Sequence, residues 1–274
     1  MKKKKKIVLI VVSVLSFVLI GITLIGGGVA AVGLGAGIIG YNIWDENRRD
    51  KINAANFSFY YVETTDSYAV TRYKGSDNKI VIPSTYKSKS VTSIGGGAFS
   101  SCSSLTEVVI PNSVTSIGGS AFFNCSSLTE VVIPDSVTSI GLEAFFNCSS
   151  LTEIIIPDSV TSIGNDSFFG CNNLTSIEIP DSVTSIGNGA FARCSSLTEI
   201  VIGDSVTSID EYAFYNCSSL TEIIIPNSVT SIGNSAFYGC RNLTIYCEAK
   251  SKPSGWNSDW NYSNCPVRWG YKGN

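Results

Sequence analysis

The sequence predicts a repeat solenoid: a right-handed superhelix around a parallel β-sheet of about eight strands. Three observations predict it. One phrase of 23 residues recurs seven times without drift. Five of the copies contain a β-branched, alternating run that stops at a proline unable to donate to a ladder, as in Leu105-Thr106-Glu107-Val108-Val109-Ile110-Pro111. No copy can bury its apolar face alone, so each must stack on its neighbours. An N-terminal β-hairpin cap, an irregular C-terminal cap and a preceding transmembrane helix complete the expectation.

The chain opens with five lysines, Lys2 to Lys6, and carries no charge from Ile7 to Tyr41. A helix needs about 20 apolar residues to cross a bilayer, which Ile7–Ile25 nearly supplies before the Gly-rich stretch. The expected order is a cytoplasmic basic tail (1–6), a transmembrane or signal-anchor segment (7–40) and a juxtamembrane linker (41–56), with the lysines held inside. A cleaved signal peptide is the competing reading. The apolar run is longer than an ordinary h-region, yet Gly27–Gly33 offers the small residues of a cleavage site. Both readings export the rest: a single-pass membrane protein with an extracellular C-terminal repeat domain, or a secreted one. No cysteine precedes Cys102, which removes a lipoprotein anchor.

Residues 57–90 read as the N-terminal cap and first strand, with a hairpin over Phe57–Gly75 turning near Thr65 to Ser67. Residues 91–246 are the repeats. Val91, Val114, Val137, Val160, Val183, Val206 and Val229 open the seven units. Rows of Ile (from Ile94), Phe (from Phe99), Cys (from Cys102) and Leu (from Leu105) follow in the same register. Pro-Asn/Asp-Ser marks the turns. A glycine row, Gly95 to Gly233, reads as further turn chemistry, with Asp210 as the exception that also tolerates unusual backbone angles. Residues 247–274 leave the period and read as the C-terminal cap. Their Trp256, Trp260 and Trp269 are side chains that close a core end or stack on sugars. Cys247 and Cys265 lie outside the ladder in an exported segment, and a disulfide between them is expected to contribute about 3 kcal/mol.

A period of 23 falls within the leucine-rich repeat range. The phrase SVTSIGxxAFxxCxxLTxIxIP resembles the BspA-type, or Treponema pallidum-type, leucine-rich repeat. The resemblance runs from about Phe57 to the C-terminus; Asp66–Gly95 is similar to the usual opening of such arrays and Ile245–Lys272 to their usual close. It implies a scaffold fold and an exported surface protein of bacteria or protozoa, in several members an adhesin.

Alternation along LTEVVIP sends Leu105, Val108 and Ile110 inward and Glu107 and Val109 outward. Repetition then draws two candidate ligand-binding rows. One is Glu107, Glu130, Glu153, Glu199 and Glu222; the other is Val109, Val132, Ile155, Val201 and Ile224. The fourth repeat swaps them, with Ser176 and Glu178 interrupting both. Like charges opposed at strand spacing cost roughly 0.2–1 kcal/mol each. Such a row is either a recognition strip for a basic, partly apolar partner or a solubility row copied by duplication. Single-file carboxylates do not make a calcium cage. An aromatic row, Phe123, Phe146, Phe169, Tyr215 and Tyr238, is broken at Ser100 and Ala192. It reads as packing over the neighbouring turn, or as an adhesive stripe.

Composition narrows the chemistry. With no histidine, Ser-His-Asp and Cys-His nucleophiles and His-ligated metals are absent. Subtracting Lys2–Lys6 from the 19 basic residues leaves 14 against 22 acidic ones, a net of −8 that repels nucleic acid. The repeated cysteines lack CxxC spacing and behave as small buried hydrophobes. No enzyme, cofactor or metal is expected. Two function classes remain. One is a membrane-anchored surface interaction or adhesion module binding an extracellular protein or glycan through its sheet face. The other is a surface-coat or spacer protein that self-associates without a specific ligand.

Overall fold

The structure is a computed structural model that describes residues 54–273. The expected basic tail, the membrane segment 7–40 and the linker up to residue 53 lie outside the described residues. Among the described residues no helix is long and apolar enough to cross a membrane.

The repeats wind into a parallel β-solenoid. Its main row has nine strands: Lys79–Val81, Glu107–Val109, Glu130–Val132, Glu153–Ile155, Ser176–Ile179, Glu199–Ile202, Glu222–Ile225, Thr244–Cys247 and Val267–Trp269. The row forms three hydrogen-bonded groups of four, two and three strands, all parallel; within the repeats the pairing is in step with the period, Glu107 opposite Glu130 and Glu130 opposite Glu153. The cap segments supply Lys79–Val81 at one end and Val267–Trp269 at the other, which brings the row to nine rather than eight strands.

Each turn also carries a second, shorter ladder that alternation did not suggest. Ser116–Ile117 pairs with Ser139–Ile140, and single bridges carry the ladder through Ile163 to Ser185–Ile186. A third set of bonds links the AFxxC segments. The N–H groups of Ser120, Phe122 and Asn124 donate forward to Leu142, Ala144 and Phe146 at 2.7, 2.8 and 2.7 Å. Those of Ala121, Phe123 and Cys125 close local turns on Gly118, Ser120 and Phe122. This alternation requires left-handed backbone twice per repeat. The two rows run Gly97, Ser120, Glu143, Asp166, Gly189, Tyr212, Ser235 and Ser101, Asn124, Asn147, Gly170, Arg193, Asn216, Gly239. Backbone donors on this side thereby find partners without a regular strand.

The glycine row has another cause than the one expected. Gly118 and Gly141 are not left-handed. A Cβ on Gly118 would stand 2.8 Å from the Ile94 carbonyl oxygen and 2.9 Å from the Gly96 nitrogen. Close approach of the preceding turn, not an unusual angle, excludes a side chain there.

Hydroxyls tie the turns together. Thr129 donates its N–H and its Oγ1 to the Thr106 carbonyl, both at 3.0 Å. Ser113 Oγ donates to the Val91 carbonyl at 2.7 Å. Most of the repeated Ser and Thr at these positions are therefore fasteners between turns, with Ser228 an exception whose buried Oγ has no partner.

The core is one continuous stack. Phe99, Phe122, Phe145, Phe168, Phe191, Phe214 and Phe237 are fully buried, with consecutive rings stacked at 5.0 to 5.7 Å. Such pairs contribute about 0.5–1.5 kcal/mol each beyond area burial. Phe57 and Tyr73 close the stack on Phe99, and Trp260 closes it edge-on against Phe237. Phe57–Val62 and Ser67–Tyr73 form the expected antiparallel hairpin, and the latter strand continues the short ladder.

Beside the phenylalanines runs the cysteine row. Cys125 to Cys240 are fully buried, and each Sγ donates to the carbonyl 26 positions earlier, as Cys148 does to Phe122 at 3.2 Å. Burial pushes the Cys125 and Cys194 thiols up to about 12, and Cys148, Cys171 and Cys217 well above their ordinary value. The expected Cys247–Cys265 disulfide is not formed; both are free thiols. Register explains it. Ile245 pairs with Val267 and Cys247 with Trp269. Cys265 therefore stands four positions off, about 13 Å along the strand and outside the disulfide window. Instead it donates to the Cys240 carbonyl at 3.3 Å and becomes the last rung of the cysteine ladder.

Candidate functional site

The main row places the outward pair of each repeat on one face. Val108, Val131 and Ile154 point into the core, and Val132, Ile155, Val201 and Ile224 are exposed, with Ile155 at 61%. Val109 is half-buried. In the acidic row Glu107, Glu130 and Glu153 are half-buried, whereas Glu199 and Glu222 are exposed, as is Glu178 in the apolar row. Glu107, Glu130 and Glu153 stand on adjacent strands, as do Val109, Val132 and Ile155.

Two neighbours escaped the periodic reading because they precede the first full repeat. Lys79 opposes Glu107 and pairs with it at 2.6 Å, and the carboxylate raises the lysine pKa. Val81 extends the apolar row by one exposed rung. Val81, Val109, Val132 and Ile155 thus form a four-strand strip about 14 Å long at the usual strand spacing. The hydrogen-bonded ladder stops after Glu153–Ile155 and resumes as a separate pair at Ser176–Ile179, where the fourth repeat swaps its outward residues. Beyond it, Ile224 is continued by Tyr246 and Arg268.

The AFxxC side carries a second set of exposed residues. Phe123, Phe146 and Phe169 are half-buried and stack at 4.9 and 4.7 Å. Tyr215 and Tyr238 stack at 5.3 Å. Between the two runs stands the buried Ala192, and the Arg193 guanidinium lies over the Phe169 ring at 5.4 Å. The missing rung opens a cleft of about 620 Å³, lined by Asp166, Arg193, Tyr212, Tyr215, Tyr238 and Tyr262 among others. Burial, then the charge of Glu143, raise the Asp166 carboxyl above its ordinary value. Arg193 and Tyr212 hold left-handed backbone at φ 62° and 56°. That conformation costs residues with a Cβ about 1–2 kcal/mol. The sequence shows the break at Ala192, but the residues around it come from five successive turns and assemble only on stacking.

The chain matches the family described as BspA type leucine rich repeat region, in six copies, over residues 72–196 and 138–252. No curated protein matches it. Among solved structures it is similar to a leucine rich cell surface protein from Faecalibacterium prausnitzii, with 39% identity and a TM-score of 0.66. That likeness covers 74% of this chain and 55% of the other, so the chain spans about half of that protein's length. The T. pallidum leucine rich repeat protein is 33% identical, with a TM-score of 0.66 over 69% of this chain and 89% of the other. A leucine-rich repeat protein from Bacteroides ovatus is 29% identical, with a TM-score of 0.52 over 78% and 70%. Repeat, register and solenoid agree: the chain belongs to the BspA-type leucine-rich repeat family.

Proposed function

We propose that the chain is a surface-displayed interaction module whose main sheet face binds an extracellular protein bearing basic and apolar side chains. The observation that carries this reading is the in-register pairing of two strips. An apolar strip, exposed at Val81, Val132 and Ile155 and half-buried at Val109, runs beside the half-buried carboxylates Glu107, Glu130 and Glu153. Apolar contact supplies affinity and the acidic row steers and orients a basic partner. Display at the surface is supported by the similar F. prausnitzii structure, a cell surface protein. Attachment by residues 7–40 rests on their sequence: five lysines followed by an uncharged stretch.

The test is binding of the full chain to a panel of extracellular matrix and surface proteins, compared with the double variant Glu153→Lys, Ile155→Ser. Both positions are solvent-facing, so the variant keeps its thermal midpoint within a few degrees. Affinity is expected to fall at least tenfold, and wild-type binding to weaken with salt. Equal binding by the variant overturns the reading, as does concentration-dependent self-association without retention of any panel member.

A further inference from the structure

The cleft above Ala192 lies away from the main sheet face, and its chemistry is different. Its volume of about 620 Å³ is in the range of small-molecule sites, roughly 300–1,000 Å³. Tyr212 meets Tyr215 edge-on at 83°, and Tyr262 is tilted 46° from Tyr238. The two outer rings are thus turned out of the parallel stacking of the ladder. Tyr262 is 61% exposed, and Tyr212 and Tyr238 are exposed as well.

The same lining holds one carboxylate, one guanidinium and one amide: Asp166, Arg193 and Asn188. The Asp166 carboxylate lies against Gly189 of the next turn, its Oδ1 2.2 Å from where a Cβ would stand on that residue. Arg193 is held by its stacking on Phe169. These opposite charges sort candidate ligands. A quaternary amine suits tyrosines and a carboxylate but is repelled by the guanidinium. A phosphate suits the guanidinium but is repelled by the carboxylate. A cyclic polyol fits all three features: its C–H face stacks on tyrosine, and its hydroxyls donate to carboxylate and accept from guanidinium.

We propose that this cleft binds a neutral saccharide, one or two rings of a glycan, with Tyr212, Tyr238 and Tyr262 as the stacking platform and Asp166 and Arg193 as hydroxyl partners. The site exists because the aromatic row lacks a ring at Ala192, so the protein's own repeat supplies the blocking variant. Ala192→Phe restores the residue that Phe146 and Phe169 occupy in earlier repeats and fills the opening.

The experiment is a glycan array probed with the full chain, followed by titration of the strongest neutral saccharide. Wild type is expected to bind saturably, and Ala192→Phe to bind at least tenfold more weakly with an unchanged or higher thermal midpoint. Tyr262→Ala, at an exposed position, is a second variant expected to weaken binding severalfold without depending on how residue 192 repacks. The sheet-face variant Glu153→Lys, Ile155→Ser is expected to bind the saccharide as wild type does, which separates this site from the protein-binding face. Three results would overturn the proposal: no neutral saccharide retained, equal binding by Ala192→Phe and Tyr262→Ala, or preference for choline or inorganic phosphate.

Discussion

The two outer faces of the solenoid are built from the same repeats but differ in how faithfully they copy. On the main sheet face the outward pair is Glu with Val or Ile in most turns, and a swap interrupts it at Ser176 and Glu178. On the AFxxC face the rung after the core phenylalanine reads Ser100, Phe123, Phe146, Phe169, Ala192, Tyr215, Tyr238. The first face is a regular strip suited to an extended partner. The second acquires a cavity where the copies disagree. Repetition makes surfaces, and a lapse in repetition makes a pocket. Behind both faces lies one shared core, so perturbations sort by whether they strike the core or one face.

The largest effect is expected at alkaline pH and breaks both faces together. The buried thiols have folded values raised from 9.0 to about 12 at Cys125 and Cys194. A raised folded value means that the native chain holds protons which the unfolded chain releases. Their stabilisation is complete below pH 9 and is lost as pH rises towards 12. Each such thiol removes about 1.4 kcal/mol per pH unit in that window. Circular dichroism against pH should show cooperative unfolding above pH 9, shifted upward in Cys125→Ala and Cys194→Ala relative to their own neutral-pH stabilities. A pH-independent signal up to pH 12 would contradict it.

Next comes a pair of adjacent phenylalanines. Phe168 is fully buried in the core stack, and Phe169 is half-buried in the outer one. Phe168→Ala is expected to lose about 3–5 kcal/mol by denaturant titration. Phe169→Ala is expected to lose about 1 kcal/mol, since it forfeits ring stacking more than buried area. Equal losses would mean that the two rows are not energetically distinct.

The smallest effect concerns the cleft alone. Burial and Glu143 raise the Asp166 carboxyl in the folded chain, so its contribution is greatest below the ordinary 3.8 and is lost as pH climbs through the raised value. Asp166→Asn should slightly raise the thermal midpoint at pH 7 and reduce the difference between pH 4 and pH 7. A lowered midpoint at pH 7 would show that the carboxylate is stabilised where it stands.

The inward rows were readable because period and alternation report burial directly: Val108 in, Val109 out. The short ladder at Ser116–Ile117 was not readable, because two residues are too few for an alternating pattern to appear. Nor were the left-handed positions. Glu143, Arg193 and Tyr212 fill them alongside Ser, Asn and Gly, and only the forward hydrogen bonds to the next turn impose the conformation. The place of Cys265 in the ladder escaped the periodic reading because the C-terminal cap spaces it 25 residues from Cys240. The cleft was hidden for a similar reason. Asp166, Arg193, Tyr212 and Tyr238 are brought together by stacking, which no local window contains.

The threonine and serine fasteners have a mechanical consequence. Those at Ser113, Ser136, Ser159, Ser182 and along the threonine row join a turn to the one before it, so a load applied between the two ends falls on these joints one after another. A turn that lets go releases 23 residues, about 80 Å of chain when extended, while the turns behind it stay fastened. Stretched between two attachment points, the protein lengthens in even steps instead of failing at once.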